Sequence, residues 1–282
     1  MRRLETLSLT PFTTVGSPLK GDRLSSKRGY GQDFIDYREY GPGDDPRSVD
    51  WNAAARSDKL FVRVFHEERD IKLVLVVDTS ASMGFGTPNR LHVAARLCAA
   101  LGFTALCGSD RVTVQPFSLA PGPALNPLRG KSSAPRLFSY LQKLKPAGPT
   151  SLANSLRRIT AATKETGTVI VISDLYDSSW QTGISSLLAR GNRVVVLQLL
   201  LDEEVNPALR GDVTLIDSET GASLDVSLEQ PLLDRYQVAM RTYLAETSMW
   251  CKSRGIAHVL ADNTTPIENL VLTTLRQHKI LR

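Results

Sequence analysis

Cysteine is scarce in this chain of 282 residues. Cys98, Cys107 and Cys251 are the only ones, and no two are spaced as C-x-x-C. Neither a disulfide framework nor a cysteine zinc site is suggested, and all three are expected to be reduced and buried. Histidine is as sparse: His66, His92, His258 and His278 build no H-E-x-x-H motif and no Ser/His/Asp arrangement. A strong excess of one charge is also missing. The formal net charge is +5, from 34 basic and 29 acidic residues, and the basic residues are scattered and do not form a run. Nucleic-acid binding therefore has no special support, and a solvated basic surface is expected. No stretch approaches the roughly 18 apolar residues of a membrane span. Met1-Arg2-Arg3 leads into Leu4-Glu5-Thr6, not into the apolar core of a signal peptide. The expectation is a soluble, cytoplasmic protein with no transmembrane segment, long enough for one large domain plus an accessory segment.

What is present begins with Ile71-Lys-Leu-Val-Leu-Val-Val-Asp78-Thr-Ser80-Ala-Ser82-Met83. The apolar run fits a parallel strand covered on both faces. Asp78, Ser80 and Ser82 recur at every second residue, so in an extended chain their side chains can converge on one side of the strand tip. A carboxylate beside two hydroxyls is an all-oxygen set of the kind a small hard cation accepts. The alternative is a plain strand-to-helix turn, in which Asp78 and the serines cap the helix starting near Pro88.

The chain in order gives a surface-wrapping segment to residue 28, dotted with Pro11, Gly16, Pro18 and Gly21. A polar and aromatic block from Gly29 to Trp51 follows. Within it Pro42-Gly43 suits a type II turn, and Asp45-Pro46 reads as cap and first residue of a short helix through about Arg56. Arg38, Asp44, Arg47 and Asp50 are either turn and surface ion pairs or a functional surface beside Tyr37, Tyr40 and Trp51. Residues 59–66 alternate like a strand. From residue 71 strands and helices alternate: strands at 71–78, 111–118, 168–174, 193–201 and 256–260, and helices at 88–108, 134–145, from 151, 183–190, 232–252 and 267–277. A small hairpin is expected at 213–226 about Glu219-Thr-Gly221. Such alternation predicts a doubly wound, mostly parallel sheet with helices on both faces. Ligands of such sheets gather beyond the carboxyl ends of strands where the winding reverses. Two strands end in an acid, at Asp78 and Asp174. If they are neighbours across the reversal, both carboxylates face one crevice, and the loop carrying Thr150 enters it.

Asp78-x-Ser80-x-Ser82, Thr150 heading a helix after a Gly/Pro-rich loop, and Asp174 closing a strand resemble the metal-ion-dependent adhesion site of von Willebrand factor A domains. The resemblance covers about residues 71–280. All five positions match, with Pro149 where a second Gly is common. The upstream block, with Phe34, Arg38-Glu-Tyr40, Pro42-Gly-Asp44-Asp45, Arg47 and Asp50-Trp51, is similar to the DUF58 family of bacterial proteins. The resemblance implies a von Willebrand factor A-like domain at 71–282 behind an N-terminal accessory segment at 1–70. In that fold the first strand is central, so residues 59–66 cannot pair with it and belong to an accessory layer or a sheet edge.

The resemblance further implies metal-mediated protein binding and no catalysis. Ser80, Ser82 and Thr150 would touch Mg²⁺ or Mn²⁺ directly, with Asp78 and Asp174 acting mostly through waters. An Asp or Glu from a partner would complete the shell. DUF58 proteins are often associated with MoxR-type AAA+ ATPases, so such an ATPase, or a client it remodels, is the implied partner. Two alternatives stand beside this one. The first is a metal-dependent phosphatase using Asp78 as nucleophile, although that chemistry commonly wants a second carboxylate where Ser80 stands. The second is a structural interaction domain without metal.

Overall fold

Runs of Val, Leu and Ile form the strands, and the run ending in Asp78 lies inside the sheet with a neighbour on each side. A computed structural model describes residues 2–10, 34–42, 44–56, 59–65, 71–163, 165–207, 210–217 and 221–282. Its strands are β1 (Phe34–Glu39), β2 (Phe61–Phe65), β3 (Lys72–Asp78), β4 (Arg111–Phe117), β5 (Leu125–Leu128), β6 (Thr168–Ser173), β7 (Arg193–Leu200), β8 (Gly211–Ile216), β9 (Ser223–Leu228) and β10 (Ala257–Asp262). The helices are α1 (Arg2–Glu5), α2 (Trp51–Ala54), α3 (Arg90–Cys107), α4 (Ala134–Leu141), α5 (Leu152–Ala162), α6 (Trp180–Ala189), α7 (Asp202–Val205), α8 (Gln230–Lys252), α9 (Ile267–Asn269) and α10 (Leu275–Gln277).

Six strands share one sheet in the order β10-β7-β6-β3-β4-β5. All pair in parallel except β5, which runs antiparallel to β4 at the edge. From β3 the chain winds outward to β4, then returns to β6 on the other side of β3 and continues to β7 and β10. The winding therefore reverses between β3 and β6, as the doubly wound α/β expectation requires. Alternation along β3 divides the core. Leu73, Leu75 and Val77 pack with α3 through Leu97, Cys98 and Leu101. Val74 and Val76 pack on the opposite face with Leu156 of α5, Ile184 of α6 and Cys251 of α8. Each face can be apolar because helices cover both.

The chain divides into two units, Met1–Phe12 with Ile71–Arg282, and Thr13–Asp70. The sequence reading placed 1–70 in one accessory segment and sent the first 28 residues over the surface. The structure moves the first twelve to the larger unit for a physical reason. Leu7 and Leu9 are buried in its core. Ser8 and Arg282 exchange backbone hydrogen bonds at 3.2 and 3.0 Å, and the Thr10 N–H reaches Ile280 O at 3.0 Å.

In the smaller unit β2 pairs antiparallel with β1 and not with the central strand, as the topology argument expected. The expected helix from Pro46 is split. A 3-10 turn at Pro46–Ser48 takes Asp45 as its cap, and Asp50 starts α2 afresh. Gly43 of the expected type II turn and Glu219-Thr220 of the expected hairpin tip lie outside the described residues.

Other departures are local. β5 was not foreseen, because a four-residue edge strand containing Pro127 carries almost no alternation. α4 stops at Leu141, short of the expected 145. The last helix is broken into α9, a π-helical turn at Leu270–Thr274, and α10. α3 also corrects the statement about apolar length. Its 18 residues, at mean hydropathy 1.3, are long and apolar enough to cross a membrane by length and composition. In the fold 72% of that window is buried, as for a core helix.

Leu9→Ala is expected to lower the unfolding free energy by about 2–4 kcal/mol, read from urea denaturation. An unchanged midpoint would mean that the N-terminal segment contributes nothing to the larger unit.

Candidate functional site

β3 ends on Asp78, and Asp174 follows the last residue of β6. Because these strands pair in parallel, with Val77 opposite Ile172, both carboxyls emerge where the winding reverses. Asp78 is 0% and Asp174 1% exposed. The turn after β3 adds hydroxyls. The Ser80 N–H donates to Asp78 Oδ1 at 2.9 Å, Ser80 Oγ lies 3.0 Å from Ser82 Oγ, and Ser82 Oγ donates to Asp174 Oδ2 at 3.0 Å. Ser173 closes the circuit by donating its hydroxyl to Asp78 Oδ2 at 2.7 Å.

The Thr150 loop is laced to this tip by backbone hydrogen bonds. The Ala81 N–H bonds Gly148 O and the Ala147 N–H bonds Thr79 O, both at 2.8 Å, so the loop grips the chain on either side of Ser80. Gly148 takes φ +73° there, a conformation that suits glycine. The Ser151 N–H then reaches Ser118 O at 3.1 Å. Four of the five expected residues are thus joined directly by hydrogen bonds, and the loop that carries Thr150 is tied to the same turn through Ala147 and Gly148.

The capping alternative for Asp78 and the serines does not describe α3. α3 takes Asn89 as its cap, whose Oδ1 accepts from the His92 N–H at 2.7 Å. α5 is capped from the β6–α6 loop, where Asp177 Oδ2 accepts from the Leu152 N–H at 2.6 Å and Ser179 Oγ from the Ala153 N–H at 3.1 Å.

Burial and the nearby Asp174 charge push the Asp78 carboxyl up to about 7, against hydrogen bonds from Ser80 and Ser173 that act the other way. Two acids in a crevice this dry favour any positive charge brought between them. Arg90, the first residue of α3, supplies one and is only 4% exposed. Its Nη1 lies 3.4 Å from Asp174 Oδ2 and 3.1 Å from both Glu204 carboxylate oxygens, and its Nη2 donates to Ser82 O at 2.7 Å. Glu204 Oε2 also accepts from the Leu201 N–H at 2.8 Å. Burial raises the Glu204 carboxyl above its usual value, and Arg90 offsets part of that. Leu175, next to Asp174, holds φ +62°, a conformation costing roughly 1–2 kcal/mol for a side-chain-bearing residue. The Tyr243 hydroxyl donates to its carbonyl at 2.9 Å.

The donors are two carboxylates and serine hydroxyls, an all-oxygen set that fits a hard cation such as Mg²⁺. Among the described residues no three His, Cys, Asp or Glu side chains gather as a metal cluster.

The family described as "Protein of unknown function DUF58" matches residues 36–245. The chain belongs to the DUF58 family. A Mycobacterium tuberculosis relative, "Uncharacterized protein Rv1480", is 28% identical over 261 residues, covering 89% of this chain and 81% of that protein. A shorter match, 27% identical over 105 residues, is to "Uncharacterized protein MAV169" of Mycobacterium avium, covering 37% of this chain and 62% of that protein. Among solved structures, BatB of Bacteroides thetaiotaomicron is similar at 17% identity and TM-score 0.46, over 74% of this chain and 96% of BatB. An aerotolerance-related membrane protein of Bacteroides fragilis gives 16% and 0.48, over 74% and 98%. The vWF domain of the pilus tip protein Mfa5 of Porphyromonas gingivalis gives 21% and 0.31, over 38% of each chain.

The upstream DUF58 residues mostly hold their own unit together. Arg38 Nη2 pairs with Asp44 Oδ1 at 2.7 Å, and Asp44 Oδ2 accepts from the Gly41 N–H at 2.9 Å. The hydrogen bond from Arg38, then that from Gly41, lowers the Asp44 carboxyl below its usual value. Asp50 accepts from the Tyr37 hydroxyl at 3.0 Å and from the N–H groups of Asn52 and Ala53 at 2.9 and 3.2 Å. Arg38 and Asp44 thus form an ion pair, and Asp50 caps α2. Trp51 is 66% and Tyr37 43% exposed. Arg47 is exposed as well.

Sequence reasoning missed Arg90, Ser173, Asp177, Gln198 and Glu204. Gln198 had a signal, as the one polar residue inside the apolar run of β7. Its Nε2 donates to Asp174 O at 3.1 Å, and its Oε1 lies 3.0 Å from His258 Nε2. Ser173 had a signal too, standing beside the acid that ends its strand. Arg90 and Glu204 had none, because 114 residues separate them. Asp177→Ala is expected to cost about 0.5–2 kcal/mol of stability through the lost α5 cap, measured by chemical denaturation. No change would mean that Asp177 does not hold the Thr150 loop.

Proposed function

We propose that this protein binds a protein partner through a divalent cation, Mg²⁺ or Mn²⁺, held at Asp78, Ser80, Ser82, Thr150 and Asp174. The observation that carries the reading is the meeting of Asp78, Ser80, Ser82 and Asp174 at the reversal between β3 and β6. Bound there, the cation would supply an open coordination position for a carboxylate from outside. The chain's own part is to hold hydroxyl oxygens in place beside the two acids. The partner presents an Asp or Glu, and on the family resemblance it is a MoxR-type AAA+ ATPase or a client that the ATPase remodels, met in the cytoplasm.

The phosphatase alternative asks more of Asp78 than its surroundings favour. Both of its oxygens are engaged, by the Ser80 N–H and the Ser173 hydroxyl, and it is fully buried. A nucleophile also needs a path to its substrate, and a carboxyl with no exposed surface offers little.

Asp78→Ala should weaken Mg²⁺ or Mn²⁺ binding at least about tenfold in calorimetry; unchanged affinity would remove the site assignment. Ser80→Ala with Ser82→Ala should leave the fold intact, because the change removes hydroxyls at a strand tip and little packing. The same pair of changes should release the partner in a pull-down, as should a chelator. A partner retained at wild-type affinity by the double variant in chelator would overturn the metal-bridged interface.

A further inference from the structure

Asp174 is already engaged on both oxygens by groups of this chain. Its Oδ1 accepts from the Tyr176 N–H at 3.2 Å, and its Oδ2 takes the Ser82 hydroxyl at 3.0 Å and the Arg90 guanidinium at 3.4 Å. A cation approaching Oδ2, directly or through water, meets a fixed positive charge and an occupied oxygen. Like charges so close, in a site this dry, repel strongly. Arg90 has somewhere else to go. Both oxygens of Glu204 lie 3.1 Å from the same Nη1 that reaches Asp174, so the guanidinium can give up Asp174 without being left as an unpaired buried charge. It is also incompletely satisfied where it stands, since among the described residues its buried Nε has no hydrogen-bond partner.

We infer that Arg90 is a resident counter-ion of the crevice, holding Asp174 when no divalent cation is bound and passing to Glu204 when one binds. Arg90 thereby sets the cation affinity, and Glu204 acts through Arg90 as the receiver that makes the exchange possible. The inference rests on the metal-binding reading above and adds to it two positioning residues outside the five-residue motif. It also ties the crevice to α7 and α8. Glu204 lies in α7, and its backbone carbonyl accepts from the Tyr236 hydroxyl of α8 at 2.8 Å.

The test is a double-mutant cycle on Mn²⁺ and Mg²⁺ affinity, measured by calorimetry at fixed pH and ionic strength, with thermal melting to confirm folding. Arg90→Met is expected to bind the cation about tenfold more tightly, and Arg90→Lys to fall between it and wild type, because one ammonium cannot bridge both acids. Glu204→Gln is expected to bind several-fold more weakly, since Arg90 is then left with Asp174 alone. In the Arg90→Met background Glu204→Gln should have almost no effect, because the group through which it acts is gone. If Arg90→Met does not fold, the charge-neutral double variant and Arg90→Lys carry the comparison, and both should bind more tightly than wild type.

Weaker or unchanged binding in folded Arg90 variants would overturn the inference and leave Arg90 as a support for the Ser82 loop. An equal effect of Glu204→Gln in both backgrounds would overturn it as well, in favour of plain through-space charge. Wild-type protein that binds neither cation would remove the metal-binding reading and this inference with it.

Discussion

Two carboxylates share a crevice from which water is nearly excluded, and much of the structure around them answers that constraint. Burial and mutual repulsion raise the proton affinity of Asp78. The surrounding chain supplies donors to both acids: the Ser80 N–H and Ser173 hydroxyl to Asp78, and the Tyr176 N–H, Ser82 hydroxyl and Arg90 guanidinium to Asp174. Buried charge is tolerated only when paired and hydrogen-bonded. The site is therefore over-determined by contacts between segments far apart in sequence, and the left-handed backbone of Leu175 is held in that setting.

The sheet makes this arrangement possible and costs little to do so. Parallel strands covered on both faces present their carboxyl ends at one edge, and reversal of the winding leaves a gap there that no crossover helix fills. Asp78 and Asp174 stand on either side of that gap. The loops crossing it carry Ser80, Ser82 and Thr150, and they are fixed by backbone hydrogen bonds to one another.

The Thr13–Asp70 unit follows a different logic. Arg38 with Asp44 and Tyr37 with Asp50 close a small hairpin-and-turn unit by polar contacts, while Trp51 remains exposed. The motif residues of this block thus divide into those that shape the turn and those, Arg47 and Trp51, that the turn displays.

The sequence by itself determined the strand-helix alternation, the doubly wound class and the candidate acids and hydroxyls, while the central place of the Asp78 strand came from the family resemblance. Those features are local: apolar runs, period-2 and helical spacing, and residues at strand ends can be read within a few positions. The family was legible for the same reason, since its motif residues are close together in the chain. Only the tertiary structure decided that Leu7 and Leu9 belong to the large core, that Asp177 caps α5, and that Arg90 and Glu204 stand beside Asp174. Each of these joins residues tens to hundreds of positions apart. Their pairing follows from which strands become neighbours, and no local spacing encodes that.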